Sequence, residues 1–277
     1  MQIKRWRNRR KEMKTAHALL ALRAIAGREI SKFLRQPGRL VSTLVRPALW
    51  LVVFAVGFQN VFGVAILPPY DTYVEYRVYM VPGLAMMVCL FNGMQSSLAM
   101  VYDREMGVMR LLLTAPLPRA YLLVCKLLGT TFLSVLQTTA FFLLALLFGI
   151  NLSIMQIAIA MPIVALGALM LAAFGLMLSV YIKQLENFAG TMNFVIFPMF
   201  FLSTALYPLW KIEESGAQWI YTLTRFNPFT HAIEALRFGL YGQIELTSLA
   251  VIAASTVVFY LIAAVGYDPQ RGLIRSA

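Results

Sequence analysis

The sequence predicts an all-α integral membrane protein with six transmembrane helices, and three observations carry that prediction. Of the 277 residues, 60% are hydrophobic and 13% charged, with a mean hydropathy of +0.73. A soluble domain is nearer to about 45–50% apolar and about 25% charged. Residues 47–70, 78–102, 127–182, 187–210 and 246–267 contain no Asp, Glu, Lys or Arg. About 20 apolar residues cross a hydrocarbon core of about 30 Å. Finally, six spans place 20 of the 24 Lys/Arg on one side of the membrane and 4 on the other, while the 12 acids divide equally. That asymmetry puts both termini in the cytoplasm. The same composition excludes a disordered chain and argues against a soluble enzyme.

Residues 1–46 form a basic cytoplasmic segment holding 13 Lys/Arg. It has no short apolar core followed by a small-residue cleavage site, so it is not a cleavable signal. Within it, Leu19, Leu22, Ala26, Ile30 and Phe33 recur at helical spacing over 15–36, and Pro37-Gly38 ends the pattern. This is either an interfacial helix with its basic side on anionic headgroups or a solvated helix packed on the membrane domain. A six-span domain follows over 47–267, with a cytoplasmic tail at 268–277. The spans are expected near 47–67, 78–101, 120–148, 155–181, 188–209 and 246–266. Gly149, Asn151 and Ser153 divide the run 127–182, which is too long for one helix. Lys126 lies near a helix end and snorkels to the headgroups.

Two connections are more than links. The inner loop reads Tyr102-Asp103-Arg104-Glu105-Met106-Gly107 and continues through Arg110, Leu111, Leu112 and Leu113 to Pro116 and Pro118. Acids at its start suit a helix N-terminus, and the prolines force a stop. Such a short two-sided helix presses into another protein's groove, or else it is a connector whose charges only set topology. The outer segment 210–245 carries Trp210, Trp219, Tyr221, Phe226, Phe229, Phe238 and Tyr241. Asn227-Pro228 marks a turn, and 229–240 reads as a helix with Glu234 and Arg237 three residues apart. These are short re-entrant or interfacial helices at the outer face, or an ordered cap over the bundle.

No acid lies within any span, and His17 and His231 both lie outside them, so the usual relay of a proton-driven carrier is missing. The chain has no GxxxxGK[ST], G-x-S-x-G or H-E-x-x-H. Ser96 and Ser97 have no nearby His or Lys to activate them, and Cys89 and Cys125 offer no metal-ligand spacing. The sequence therefore predicts a protein that is not an enzyme and holds no metal or cofactor; uphill transport would draw energy from a partner. The basic excess sits at one end rather than on a binding face, so nucleic acid is not expected. Polar residues inside the spans are Gln59, Asn60, Asn92, Gln95, Ser96, Ser97, Gln137, Asn193, Ser203 and Thr204. Asn92, Gln95 and Ser96 share one helix face and, with Asn193 and Ser203, are the candidates for a translocation pathway. The alternative is hydrogen bonding between helices. Gly167, Gly175 and the alanines between them are expected to let helices approach closely.

In order along the chain, several segments resemble the permease subunits of type-2 ABC exporters, which include bacterial drug, polysaccharide and nodulation-factor exporters. They are Arg28-Glu29-Ile-Ser-Lys-Phe-Leu-Arg-Gln-Pro37 with Arg46-Pro-Ala-Leu-Trp50; Arg104-Glu105-Met-Gly107 through Leu113-Thr-Ala-Pro116; Phe201-Leu-Ser203 with Tyr207-Pro208; and Asn227-Pro228-Phe229 through Glu234-Ala-Leu-Arg237. The resemblance implies a homodimer in the bacterial inner membrane, among membrane lipids, coupled to a separate ATPase subunit that binds ATP and Mg. It implies that 15–36 is a connecting helix, 103–116 a coupling helix and 211–240 an outer re-entrant region. The coupling residues would be Asp103, Arg104, Glu105, Gly107, Arg110, Leu113 and Pro116, with Arg28 and Glu29. Arg110 stands where the family often has an acid, and Thr204 where a glycine is common. The inner loop and the tail Gly266-Tyr-Asp-Pro-Gln-Arg-Gly-Leu-Ile-Arg275 look closest to permeases associated with quinoprotein alcohol dehydrogenases. The cargo implied is small or amphipathic: an alcohol or its toxic product, a drug, or a lipid-linked glycan. The alternative function is an ion-driven carrier or passive channel that works without an ATPase.

Overall fold

The computed structural model describes residues 15–35, 37–57, 69, 74–107, 118–182 and 184–266. Among the described residues ten helices run in chain order: α1 (Thr15–Leu34), α2 (Pro37–Gly57), α3 (Tyr76–Glu105), α4 (Arg119–Leu147), α5 (Ile154–Tyr181), α6 (Leu185–Phe201), α7 (Leu209–Glu214), α8 (Gln218–Phe226), α9 (Pro228–Leu240) and α10 (Leu246–Gly266). Four of them, α3, α4, α5 and α10, are long and apolar enough to cross a membrane. Two expected spans are shorter within the described residues. The apolar part of α2 is Thr43–Val53, and α6 has 17 residues. The expected fifth span, 188–209, ends instead at Phe201. Pro198 lies in its last turn, and the chain then turns through Ser203 and Thr204.

The helix ends follow local chemistry. The 127–182 run breaks where expected, with α4 ending at Leu147 and α5 opening on Ser153. The Ser153 hydroxyl accepts from the Met155 N–H at 3.3 Å, and the Gln156 side chain accepts from the Ser153 N–H at 2.8 Å. This reciprocal cap satisfies donors that a helix start leaves open. Pro37 opens α2, because its missing N–H and fixed φ suit a first turn.

α3 is the axis of the bundle, with α2, α4, α5, α6 and α9 packed around it. Every residue from Met80 to Met94 on α3 is buried. Between lipid and protein no hydrophobic force favours one apolar contact over another, so close packing has to hold such helices together. Gly175 on α5 shows how: a β-carbon there would lie 3.0 Å from the Gly93 carbonyl and 2.7 Å from Ser97 Oγ. The other faces stay apolar and uncovered. Leu128, Phe132, Leu136, Leu143 and Leu147 form an exposed stripe on α4, as Val257, Val258, Leu261 and Val265 do on α10. Water does not tolerate so much contiguous apolar surface, and lipid does.

α1 packs along α4, with Ala26 opposite Gly129. The bundle has two ends. At the near end α1, Glu105 and the C-terminus of α5 gather; α7, α8 and α9 gather at the far end.

Candidate functional site

At the near end α3 stops at Glu105, and Gly107 takes φ +73. The Met106 N–H donates to the Tyr102 carbonyl at 2.9 Å and the Gly107 N–H to the Arg104 carbonyl at 3.2 Å. A side chain at Gly107 would strain this left-handed turn. Two charged residues of that last turn reach neighbouring helices. Buried Asp103 lies 3.8 Å from the Arg28 guanidinium of α1. Arg104 Nη2 donates to the Ile182 carbonyl at 2.8 Å, at the C-terminus of α5, where the helix dipole favours a cation. Because Arg28 is 36% exposed, the ion pair contributes about 1 kcal/mol or less, and its consequence is geometric. The last turn of α3 is thus tied to α1 and α5 together, and Asp103 and Glu105 close a long helix where the sequence suggested that they open a short one. Glu29 lies beside α4 near Gly129, and Glu105 is exposed. Arg110, Leu113 and Pro116 lie outside the described residues.

In the middle of the bundle a polar seam joins α3 to α4. Asn92 Nδ2 donates to Ser134 Oγ at 2.7 Å and to the Thr130 carbonyl at 3.3 Å. Ser96 Oγ lies 2.6 Å from Thr130 Oγ1, and Cys89 Sγ lies 3.2 Å from Thr138 Oγ1. Asn92 and Ser96 are thus buried and engaged within the chain. Ser203 is buried too, and its hydroxyl donates to the Phe200 carbonyl at the end of α6. Gln95 is half-buried one turn from Phe91, and Asn193 is exposed on α6. The residues expected to share one face do share it, but they meet two different surroundings. Gln59 and Asn60 lie outside the described residues.

One residue of this region escaped the sequence reading. Arg46 sits two and a half turns inside α2, exposed, with its guanidinium 4.2 Å from the centroid of the Phe91 ring. Phe91 lies about 18 Å along α3 from Asp103, near the middle of that 30-residue helix. Holding Arg at that depth costs about 2.5–3.5 kcal/mol, and stacking on a ring returns about 0.5–2 kcal/mol. The available signal was Pro37: it ends one helix and opens the next, which places Arg46 well inside α2 instead of before its start.

At the far end Arg237 on α9 is buried, pairs with Glu234, donates to the Thr204 carbonyl at 2.8 Å and lies 4.1 Å from the Tyr79 ring. The Tyr79 hydroxyl donates to the same carbonyl at 3.1 Å, and the Tyr76 hydroxyl to the Leu206 carbonyl at 2.7 Å. Asn227 joins two helices: its Nδ2 donates to the Met199 and Leu202 carbonyls while its Oδ1 accepts from the Phe229 N–H. His231 links the Arg225 carbonyl to Ser248 of α10. A cavity of about 460 Å³ opens here, walled by Trp210, Glu213, Arg225, His231, Glu234 and Glu245 among others. Burial pushes the Tyr207 and Tyr241 phenols above their ordinary values, with Arg237 opposing the rise at Tyr241. Both therefore remain hydroxyl donors.

The sequence of this bundle has counterparts among known proteins. The family described as ABC-2 type transporter matches residues 21–241. The ycf38 protein of Cyanophora paradoxa is 27% identical over 258 residues, covering 87% of this chain and 84% of that one. The inner membrane transport permease YadH of Escherichia coli K12 is 26% identical over 262 residues, covering 92% and 97%. The daunorubicin resistance ABC transporter permease protein DrrB1 of Streptomyces coeruleorubidus is 23% identical over 217 residues, covering 78% and 73%. Permeases of this kind normally work with an ABC ATPase subunit. With four-fifths of its length matched and an apolar all-helical bundle, this chain belongs to the ABC-2 type transporter family and is a transport permease.

Proposed function

We propose that this chain is the membrane half of an ATP-driven exporter, paired with itself and powered by a separate ATPase that binds ATP and Mg. In this reading all six spans cross the membrane, α2 and α6 completing the four longer ones, and the near end faces the cytoplasm of a bacterial cell. The segment 103–116 receives the ATPase, with Glu105 exposed for contact and Gly107 shaping the turn. Arg110, Leu113 and Pro116 continue that surface. The observation that carries the proposal is the double tie of Asp103 to Arg28 and Arg104 to Ile182. A push on the loop then moves α1, α3 and α5 as one body and tilts the bundle. Asn92, Ser96 and Ser203 keep the moving helices in register, while Gln95 and Asn193 border the pathway. The cargo is small or amphipathic; a drug, a lipid-linked glycan, or an alcohol or its toxic product handled alongside a quinoprotein alcohol dehydrogenase are the classes that the sequence resemblance and DrrB1 suggest.

The test is affinity purification of the tagged chain from its native membrane, followed by mass spectrometry and vesicle export. An ATPase with a Walker A motif should co-purify. Glu105→Arg and Gly107→Pro should leave insertion intact while separating ATP hydrolysis from export. A homo-oligomer without a nucleotide-binding partner, exporting under an ion gradient alone, would overturn the proposal in favour of a carrier or channel.

A further inference from the structure

Among the described residues no carboxylate pairs with Arg46. The sequence holds no Asp or Glu between residues 30 and 70, and none across 187–210 or 78–102. The guanidinium rests on Phe91 on an exposed side of α2 that also carries Val45, Leu49 and Val53. α2 and α6 meet where Trp50 packs edge-on against Phe200 and Phe201, with centroids 5.8 and 5.9 Å apart. Arg46 lies one turn back along α2 from that contact, and Asn193 two turns back along α6. Gln95 lies one turn along α3 from Phe91, on the same face. An exposed cation held on an aromatic ring, on a helix that also exposes aliphatic side chains, matches a ligand with an anionic head and an apolar body.

We infer that Arg46 is the head-group recognition site of the cargo, and that the cargo is an anionic amphiphile. The inference rests on the exporter reading above. The ring fixes the guanidinium in place, the amides of Gln95 and Asn193 border the head group, and the valine and leucine face of α2 receives the tail. Removing the guanidinium should abolish preference for the anion while leaving the apolar contribution unchanged.

The full chain in phosphatidylcholine nanodiscs tests this with three twelve-carbon probes that differ only at the head: laurate, dodecanol and dodecyltrimethylammonium. Laurate is expected to bind at least tenfold more tightly than either of the others. Arg46→Gln should bring laurate down to the level of dodecanol, and Arg46→Lys should retain an intermediate preference. Equal binding of all three probes to the unaltered chain, which needs no variant to fold, would overturn the inference. So would unaltered laurate affinity in a monodisperse Arg46→Gln protein. Complete displacement of laurate in phosphatidylglycerol nanodiscs would assign the site to bulk lipid and also overturn it. The assay needs no ATPase, so failure here with a co-purifying ATPase sinks this inference alone. Arg46-dependent laurate binding by a chain with which no ATPase co-purifies from its native membrane would sink the exporter reading and leave the binding site standing.

Discussion

Asn92 and Ser96 on α3 and Arg46 on α2 stand at nearly the same depth in the bundle, yet they are disposed of in opposite ways. The α3 residues are buried and bonded to Thr130 and Ser134 of α4. Arg46 is exposed and touches a ring. In water such a difference would be minor, because solvent satisfies whatever protein does not. In hydrocarbon there is no such second partner, so the surroundings of a polar side chain reveal its role. A polar group matched inside the protomer is part of the packing. One left unmatched is tolerated because something else meets it there.

That contrast can be broken by substitution. Gly175→Leu should have the largest effect, since the obstacle is the backbone of α3 and cannot rotate away. A loss of about 3 kcal/mol or more is expected, read as disappearance of the monodisperse peak in detergent. A protein that stays monodisperse would mean that α3 and α5 can separate without penalty. Next come two substitutions that should act in opposite directions. Arg46→Leu removes a charge from an apolar face and should raise stability by about 2 kcal/mol in thermal unfolding. Asn92→Leu removes an interhelical bond and should lower stability by about 1 kcal/mol. If both moved the same way, the division between matched and unmatched groups would be wrong. The smallest effect is expected at Asn193, which is exposed on α6. Its replacement by alanine should leave the unfolding midpoint within about 0.5 kcal/mol of the parent, and a larger fall would place Asn193 in the packing.

Much of the architecture could be read before any coordinates. Uncharged runs located α3, α4, α5 and α10, and Gly149, Asn151 and Ser153 located the break between α4 and α5. The Glu234–Arg237 pair was visible as an i, i+3 spacing. At the site, Asp103 and Arg28 were both named, but their pairing joins residues far apart in the chain, and no periodicity reports it. The stripe of Asn92, Gln95 and Ser96 was seen as one face, though not that Asn92 and Ser96 would meet α4 while Gln95 lies nearer the surface. Arg46 was placed at the edge of the first span because the uncharged run begins only at residue 47.

Composition and charge suffice for the membrane and the number of apolar runs, because insertion energies are summed over one helix at a time. Which face of each helix turns inward is a different quantity. In a soluble helix a polar face marks the outside, but a helix between protein and lipid is apolar all round and its periodicity is silent. The choice falls to pairwise fit: Gly93 against Gly175, Asn92 against Ser134, Arg237 against Tyr79, and Arg46 left over on Phe91. Such fits exist only once two helices have met, so they belong to the tertiary structure alone.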